Sequence, residues 1–366
     1  MNSGLIGSLG TAPLQTVKAR LNNSQGRSFL SFDKFRRVFH TASPNNLVNA
    51  LQIEAIGGTP NVDLVLTPKG TGAFILGLPP DNTTTGGSKR GAYSTHLSYG
   101  FGEAGEVAGG DFSFTANYRS QASGFGSACF GNDSRAGGYT TGCGGQQCSA
   151  DGAWAFAWGY QIHASGSNAV AFGRNGYASG QGSAIIGEIV NAAAVFSQAM
   201  GNNTSVAAGA DGGFARGLGA LSNRYGMRAE SCGGFTVQGD AQLVAFIARN
   251  KTTTNSAVEL FLNGASTRLT IPSGRIFSGT VNIVGSKSDG TAVARYLRQV
   301  TIKNVAGTTS LVGSVIALGT DEPAGTSVAI TANDTNDALQ IAVTGIASET
   351  WRWMATIEGA EMGYGT

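Results

Sequence analysis

Small and large apolar residues alternate in a repeating block through the middle of this chain. From Ala122 to Gly201 the block is fourteen residues long and recurs six times without a slip. The units begin ASGFGSACFG, AGGYTTGCGG, ADGAWAFAWG, ASGSNAVAFG, ASGQGSAIIG and AAAVFSQAMG. Each opens on alanine and carries glycine at its tenth position: Gly131, Gly145, Gly159, Gly173, Gly187 and Gly201. Positions six and eight are small, as in Ser127 and Cys129 or Ala169 and Ala171. Position nine is usually large: Phe130, Trp158, Phe172, Ile186, Met200. Alternation with period two is a strand pattern. A fixed short period is the signature of a solenoid with one coil per repeat. Weaker copies extend outward at Ala108, Val206 and Ala220.

The two rows predict two surfaces. Small side chains suit the interior of a narrow roll. The large position-nine row needs a cover, and a single slim roll cannot supply one. Other copies of the chain are therefore expected to pack there, with Phe130, Trp158, Phe172, Ile186 and Met200 as the trimer core. The repeated glycine marks a corner that needs positive φ or close backbone approach. No proline lies between Pro80 and Pro272, as expected of an unbroken hydrogen-bond ladder.

Beyond Phe235 the beat stops and short strands separated by turn signals follow, among them LVAFIAR, FSGTVNIVG, RQVTIKN, LQIAVTG and TWRWMATIE. About nine such strands predict a β-sandwich or jelly roll. Before the roll, PPDNTTTGGSKRG reads as a turn-rich linker. The N-terminal stretch RSFLSFDKFRRVFH is aromatic and basic. The expected organisation is residues 1–57 as an anchoring segment, 58–93 as a short β shaft and linker, 94–234 as the roll, and 235–366 as the C-terminal sandwich. The fold class is all-β.

The alanine-to-glycine unit resembles the head repeat of trimeric autotransporter adhesins. That resemblance implies a homotrimeric left-handed parallel β-roll. LTPKGTG at 66–72, GDAQ at 239–242, ELFLNGASTRLTIP, and ALQIAVTG followed by WRWMA resemble shaft and C-terminal modules of phage tail fibres. This implies a virion tail component, assembled in the host cytoplasm, that contacts tail or baseplate proteins through its N-terminus. Its partner outward would be a host surface glycan or protein, bound multivalently. The alternatives are a tailspike polysaccharide depolymerase and a capsid-decorating spike.

Composition narrows the picture further. Net charge is +2 over 366 residues, which predicts no nucleic-acid partner. No run of eighteen apolar residues and no signal-like N-terminus is present, so membrane insertion is not expected. Cys129 and Cys143 share one position in adjacent units and read as small buried residues rather than a disulfide. No cofactor and no metal site is predicted. His40, His96 and His163 fall in three regions with no Ser or Cys placed beside them by a motif, so no catalytic triad is expected. Asp133 and Asp151 are the carboxylates that stacking would bring to neighbouring corners, the requirement for glycoside cleavage. Trp154, Trp158 and Tyr160 are candidates for a sugar-stacking patch. AGADGGFA reads as a surface turn. Two polar turns, carrying Lys287, Asp289, Asp321 and Glu322, are the candidate receptor contacts. On this reading the chain is not an enzyme.

Overall fold

The computed structural model describes residues 35–40, 50–55, 65–98 and 103–364. Two compact units divide at Lys69 and Gly70. In the first, Phe35–His40 pairs antiparallel with Ala50–Ala55; the rest of the expected anchoring segment lies outside the described residues.

The second unit is all-β and contains a β-solenoid of about eight turns. Its parallel ladders join residues fourteen apart: Ala157 pairs with Ala171, Ala171 with Ile185, and Ile185 with Ala199. In some coils a five-residue and a two-residue strand are separate, as in Ala128–Asn132 and Arg135–Ala136; in others they run together as one nine-residue strand with a left-handed corner inside it, as in Phe156–Ala164. Cys129, Ala157, Ala171 and Ala199 are fully buried inside the roll. The position-nine side chains point out. On the single chain Phe130, Phe172, Trp158 and Ile186 are 39%, 40%, 46% and 50% exposed.

The interior adjusts locally where it holds something larger. Ile162, Ile185 and Val190 are all fully buried. Gly176 lies between the coils of Ile162 and Val190, and a Cβ there would sit 2.7 Å from Ile185 Cδ1. Glycine is the space that lets the isoleucines in. Cys129 and Cys143 pair in register inside the roll, their sulfurs 2.7 Å apart, and all four cysteines are free.

The tenth-position glycines meet both demands expected of them. At Gly173 φ is +128°, and a Cβ would stand 1.9 Å from the carbonyl oxygen of Gly187. That distance is far inside van der Waals contact, so no other residue fits. Each coil also has left-handed corners occupied by other residues, such as Trp154 (φ 56°) and Gln161 (φ 52°). There the backbone is tight but the side chain has room.

Past Gly201 the beat slips by two residues. Val206 pairs with Ser222 rather than Ala220, and Gly201 pairs with Gly217. Two extra residues in the turn at 207–213 account for this, so the weak copy assigned to Ala220 belongs two residues later.

The parallel ladder ends at Arg228–Cys232, and the sheet continues beyond it. Arg228–Cys232 pairs antiparallel with Ala241–Thr252, which continues through Trp351–Gly363 and Arg275–Lys287 to Val293–Val305. All belong to one 21-stranded sheet. A separate four-stranded sheet contains Ala257–Glu259, Leu269–Thr270, Ser327–Asn333 and Ala338–Thr344. Phe277, Ile283, Ile302, Ile341, Trp351 and Ile357 are buried in the shared core. The join is held by a buried ion pair, Arg224 with Glu361. Gln242 donates to the second Glu361 oxygen at 3.1 Å, and the Arg224 guanidinium lies 4.9 Å from the Phe246 ring centre. Asp240, in the GDAQ phrase, accepts backbone N–H groups from Phe235, Thr236 and Val237. Those bonds hold its carboxyl down at about 2.

His96 lies in the roll interior, with Nδ1 2.8 Å from Thr115 Oγ1. Burial, aided by the Arg90 charge, lowers its pKa from 6.5 to about 4. The folded state therefore binds fewer protons than the unfolded state between those values, and stability falls as pH drops from 6.5 toward 4. Asp240 acts in a lower window, below the ordinary 3.8 of a free aspartate. Melting temperature followed from pH 7 to pH 4.5 is expected to decline, and more shallowly in His96→Gln. A flat wild-type profile would place His96 in contact with solvent.

Glycine stacking yields a second test. Gly209 has φ +81° with nothing within 4 Å of its would-be Cβ, whereas Gly173 faces the Gly187 carbonyl. Gly209→Ala carries only the left-handed penalty, about 1 kcal/mol. Gly173→Ala adds a backbone clash and is expected to cost more than about 3 kcal/mol. Denaturant titration of the two variants measures the difference.

Candidate functional site

Two outward columns border one face of the roll. The first is the short strand stretch, at position fourteen: Gln121, Arg135, Ser149, His163 and Tyr177 pair in sequence, coil on coil. The second is the adjoining left-handed corner, with Arg119, Asp133, Gln147, Gln161 and Asn175, all at φ between 52° and 55°. Together with Glu103 and Glu106 these residues line an open groove of about 760 Å³. The apolar row at position nine has no part in it. Polarity is thus sorted by position within the coil, because each position becomes a continuous column.

At one end of the groove Arg119 Nε lies 3.2 Å from Glu106 Oε1 and 3.0 Å from Asp133 Oδ1. Two carboxylates that share one nitrogen have these oxygens no more than about 6 Å apart; glycoside-cleaving enzymes use carboxyl pairs roughly 5 to 10 Å apart. Glu106 is 15% exposed and Asp133 30%. Asp151, the carboxylate considered with Asp133 from the sequence, has a different partner. Asp151 belongs to the column beyond the short strand stretch and pairs with Arg135 at 3.2 Å.

In the middle of the groove Ser149 Oγ lies 2.8 Å from His163 Nδ1. The next residue of the column, Tyr177, stacks on the imidazole with ring centres 4.7 Å apart and planes 9° apart. Gln161 donates to the Gln147 carboxamide oxygen at 3.1 Å. Burial lowers the His163 pKa, opposed by the charge of Asp151. Local motif reasoning misses this pair. The signal is nonetheless in the sequence, since Ser149 and His163 are separated by one repeat.

Trp154, Trp158 and Tyr160 occupy three different columns. Trp158 packs near Phe130 and Phe156. Tyr160 sits beneath the Arg174 guanidinium, 5.8 Å from it. Trp154 ends a separate corner column of exposed rings, Tyr93, Phe112, Phe125, Tyr139 and Trp154, with successive centres 5.0 to 6.0 Å apart. Within the repeats Phe125 and Tyr139 hold position four and Trp154 position five, a shift that hides the column from a strict positional reading.

Lys287, Asp289, Asp321 and Glu322 are largely engaged within the chain. Lys287 pairs with Asp289 at 3.5 Å and Glu349 at 3.1 Å. Asp321 takes both Arg298 guanidinium arms at 2.6 Å. Glu322 bridges the Arg295 backbone. Both loops lie near the Val293 end of the large sheet. Among the described residues no group of three His, Cys, Asp or Glu is placed to hold a metal ion. No described helix is long and apolar enough to cross a membrane.

No family model and no curated protein matches the chain. Among solved structures it is similar to the tailspike protein gp49 of Acinetobacter baumannii bacteriophage Fri1, a capsular polysaccharide depolymerase. Identity is 9% and the TM-score 0.24, over 91% of this chain and 77% of that one. The Acinetobacter phage vB_ApiP_P1 tailspike is similar at 11% identity and TM-score 0.23, over 73% of this chain and 58% of that one. The Acinetobacter baumannii phage AM24 tailspike follows at 8% and 0.18, over 67% and 62%. These structural neighbours are phage tailspike proteins. The expectation that the chain is not an enzyme runs against these comparisons, in which the gp49 neighbour is itself described as a depolymerase.

Proposed function

We propose that this chain is a bacteriophage tail appendage that holds a host surface polysaccharide along the polar groove of its roll and cleaves it. The observation that carries the reading is the Glu106–Arg119–Asp133 cluster at the groove's end. Glycosidic cleavage needs one carboxyl group to protonate the leaving oxygen and a second to attack or to activate water. Glu106 and Asp133 would divide these roles between them, one as acid and the other as nucleophile or base. Arg119 holds both side chains in position until a sugar takes its place between them. The remainder of the groove supplies amide, hydroxyl and guanidinium groups suited to sugar hydroxyls.

The appendage is read as a homotrimer whose axis is covered by Phe130, Trp158, Phe172, Ile186 and Met200. A lone chain would expose this stripe to water, which soluble monomers rarely tolerate. The two sheets after residue 235 are read as a sandwich-like module carried on the same rod. Three chains present three grooves, so weak contacts with a repeating polymer combine into avid attachment.

Cleavage is tested by incubating the full chain with capsular polysaccharides and measuring new reducing ends. Glu106→Gln and Asp133→Asn are each expected to lower the rate at least about 100-fold, with unchanged melting. Release that persists in the double variant would remove these residues from the chemistry.

Assembly is tested by light scattering. Wild-type protein is expected at three times the chain mass. Phe172→Asp would place a charge beside its two symmetry copies and is expected to give monomer or aggregate. A stable, soluble wild-type monomer would refute the covered stripe.

A further inference from the structure

We propose that Ser149 and His163 form a nucleophile–base pair that removes ester-linked acyl groups from the sugar chain in the groove. The substrate class rests on the polysaccharide reading above; the ester chemistry rests on the pair itself.

The geometry is that of an activated hydroxyl. Ser149 and His163 are register partners on adjacent coils, with Oγ and Nδ1 2.8 Å apart. In the tautomer protonated at Nε2, Nδ1 accepts the serine O–H. The Tyr177 ring, stacked at 4.7 Å, fixes the plane of the imidazole. A base must be held by a third group if it is to meet its proton repeatedly in one orientation. Burial favours the neutral imidazole, which is the form able to take a proton at pH 7.

Polar groups suited to a developing oxyanion line the same groove. Arg135 is the register partner of Ser149 on the preceding coil, with its Nε 3.2 Å from Asp151 and its terminal nitrogens still able to donate. Gln147 lines the same groove and has its carboxamide oxygen occupied by Gln161, which leaves its amide hydrogens as the groups it can offer. Preorganised donors of this type are the main source of stabilisation in acyl transfer.

The surroundings select the substrate. The pair sits mid-sheet, where backbone N–H and C=O groups are committed to the ladder. No free edge exists at that point to hold a peptide as an added strand. The groove is open and polar, so an acyl group projecting from a long polymer reaches the serine without the polymer entering a pocket.

The chemistry balances with water as the only co-reactant. Ser149 Oγ adds to the acyl carbonyl carbon while its proton passes to His163 Nδ1. The tetrahedral adduct collapses, the bond from carbonyl carbon to sugar oxygen breaks, and His163 returns the proton to that oxygen. Water then attacks the acyl-serine and gives a proton to His163. The serine oxygen departs, is reprotonated by His163, and the carboxylic acid is released.

The test uses the full chain with a fluorophosphonate probe and with p-nitrophenyl acetate. Peptide mass spectrometry is expected to find the phosphonate on Ser149. Labelling is expected to be lost in Ser149→Ala and to slow at least about 100-fold in His163→Ala, both variants melting as wild type does. Ester hydrolysis is expected to follow the same pattern. An unlabelled Ser149 in the folded wild-type protein, or hydrolysis that persists in Ser149→Ala, would overturn the proposal. Acetate and reducing ends are then measured on one O-acetylated polysaccharide. Acetate without reducing ends removes the cleavage reading and leaves this one; reducing ends with an unlabelled Ser149 does the reverse.

Discussion

Close contact between glycine backbones on successive coils is the constraint on which this molecule depends. Gly131, Gly145, Gly159, Gly173, Gly187 and Gly201 stack so tightly that each would-be Cβ meets the next carbonyl oxygen at 1.9 to 2.0 Å. The contact locks the coils in register at one strand spacing. With register locked, a residue's number within the unit decides its column. Sequence periodicity thereby becomes surface chemistry, with an apolar column at position nine and a polar one at position fourteen.

The same constraint explains the shape of the candidate site. No loop gathers distant residues around a pocket. Instead the groups meet because they recur: Arg119 beside Asp133, Gln147 beside Gln161, Ser149 beside His163. The backbone beneath is tied in parallel ladders on both sides, so these side chains stand on a rigid floor. Rigidity of that kind favours preorganised polar contacts over induced closure.

Much of the roll is legible in the amino-acid sequence. Small residues at positions six and eight predict the buried interior, and Ala157 and Ala171 are fully buried. The glycine corner is legible because the tenth position never varies across the six units. Other features are not. The two-residue insertion before Phe214 is hidden because alanine and glycine occur on both sides of it, which gives a false register. The Ser149–His163 pair escapes a search for local motifs, because the relevant neighbour in a solenoid lies one period away. Glu106 escapes a positional reading because it precedes the regular units, in a coil where Thr95 and Phe114 pair across nineteen residues rather than fourteen. Asp151 shows that proximity along the rod is not enough: the column in which a carboxylate stands decides what it can meet.

The antiparallel turn of the chain after Cys232 has a consequence for assembly length. A parallel solenoid ends in an edge of unsatisfied N–H and C=O groups, onto which another solenoid can add end to end. Here Ala241–Thr252 lies against the last parallel strand, with Arg228, Ala229 and Glu230 opposite Ala245, Val244 and Leu243. Reversed direction breaks the repeat, and the chain supplies its own terminator at that end. The rod is thus finite by construction: filament growth is blocked by the polarity of a single strand.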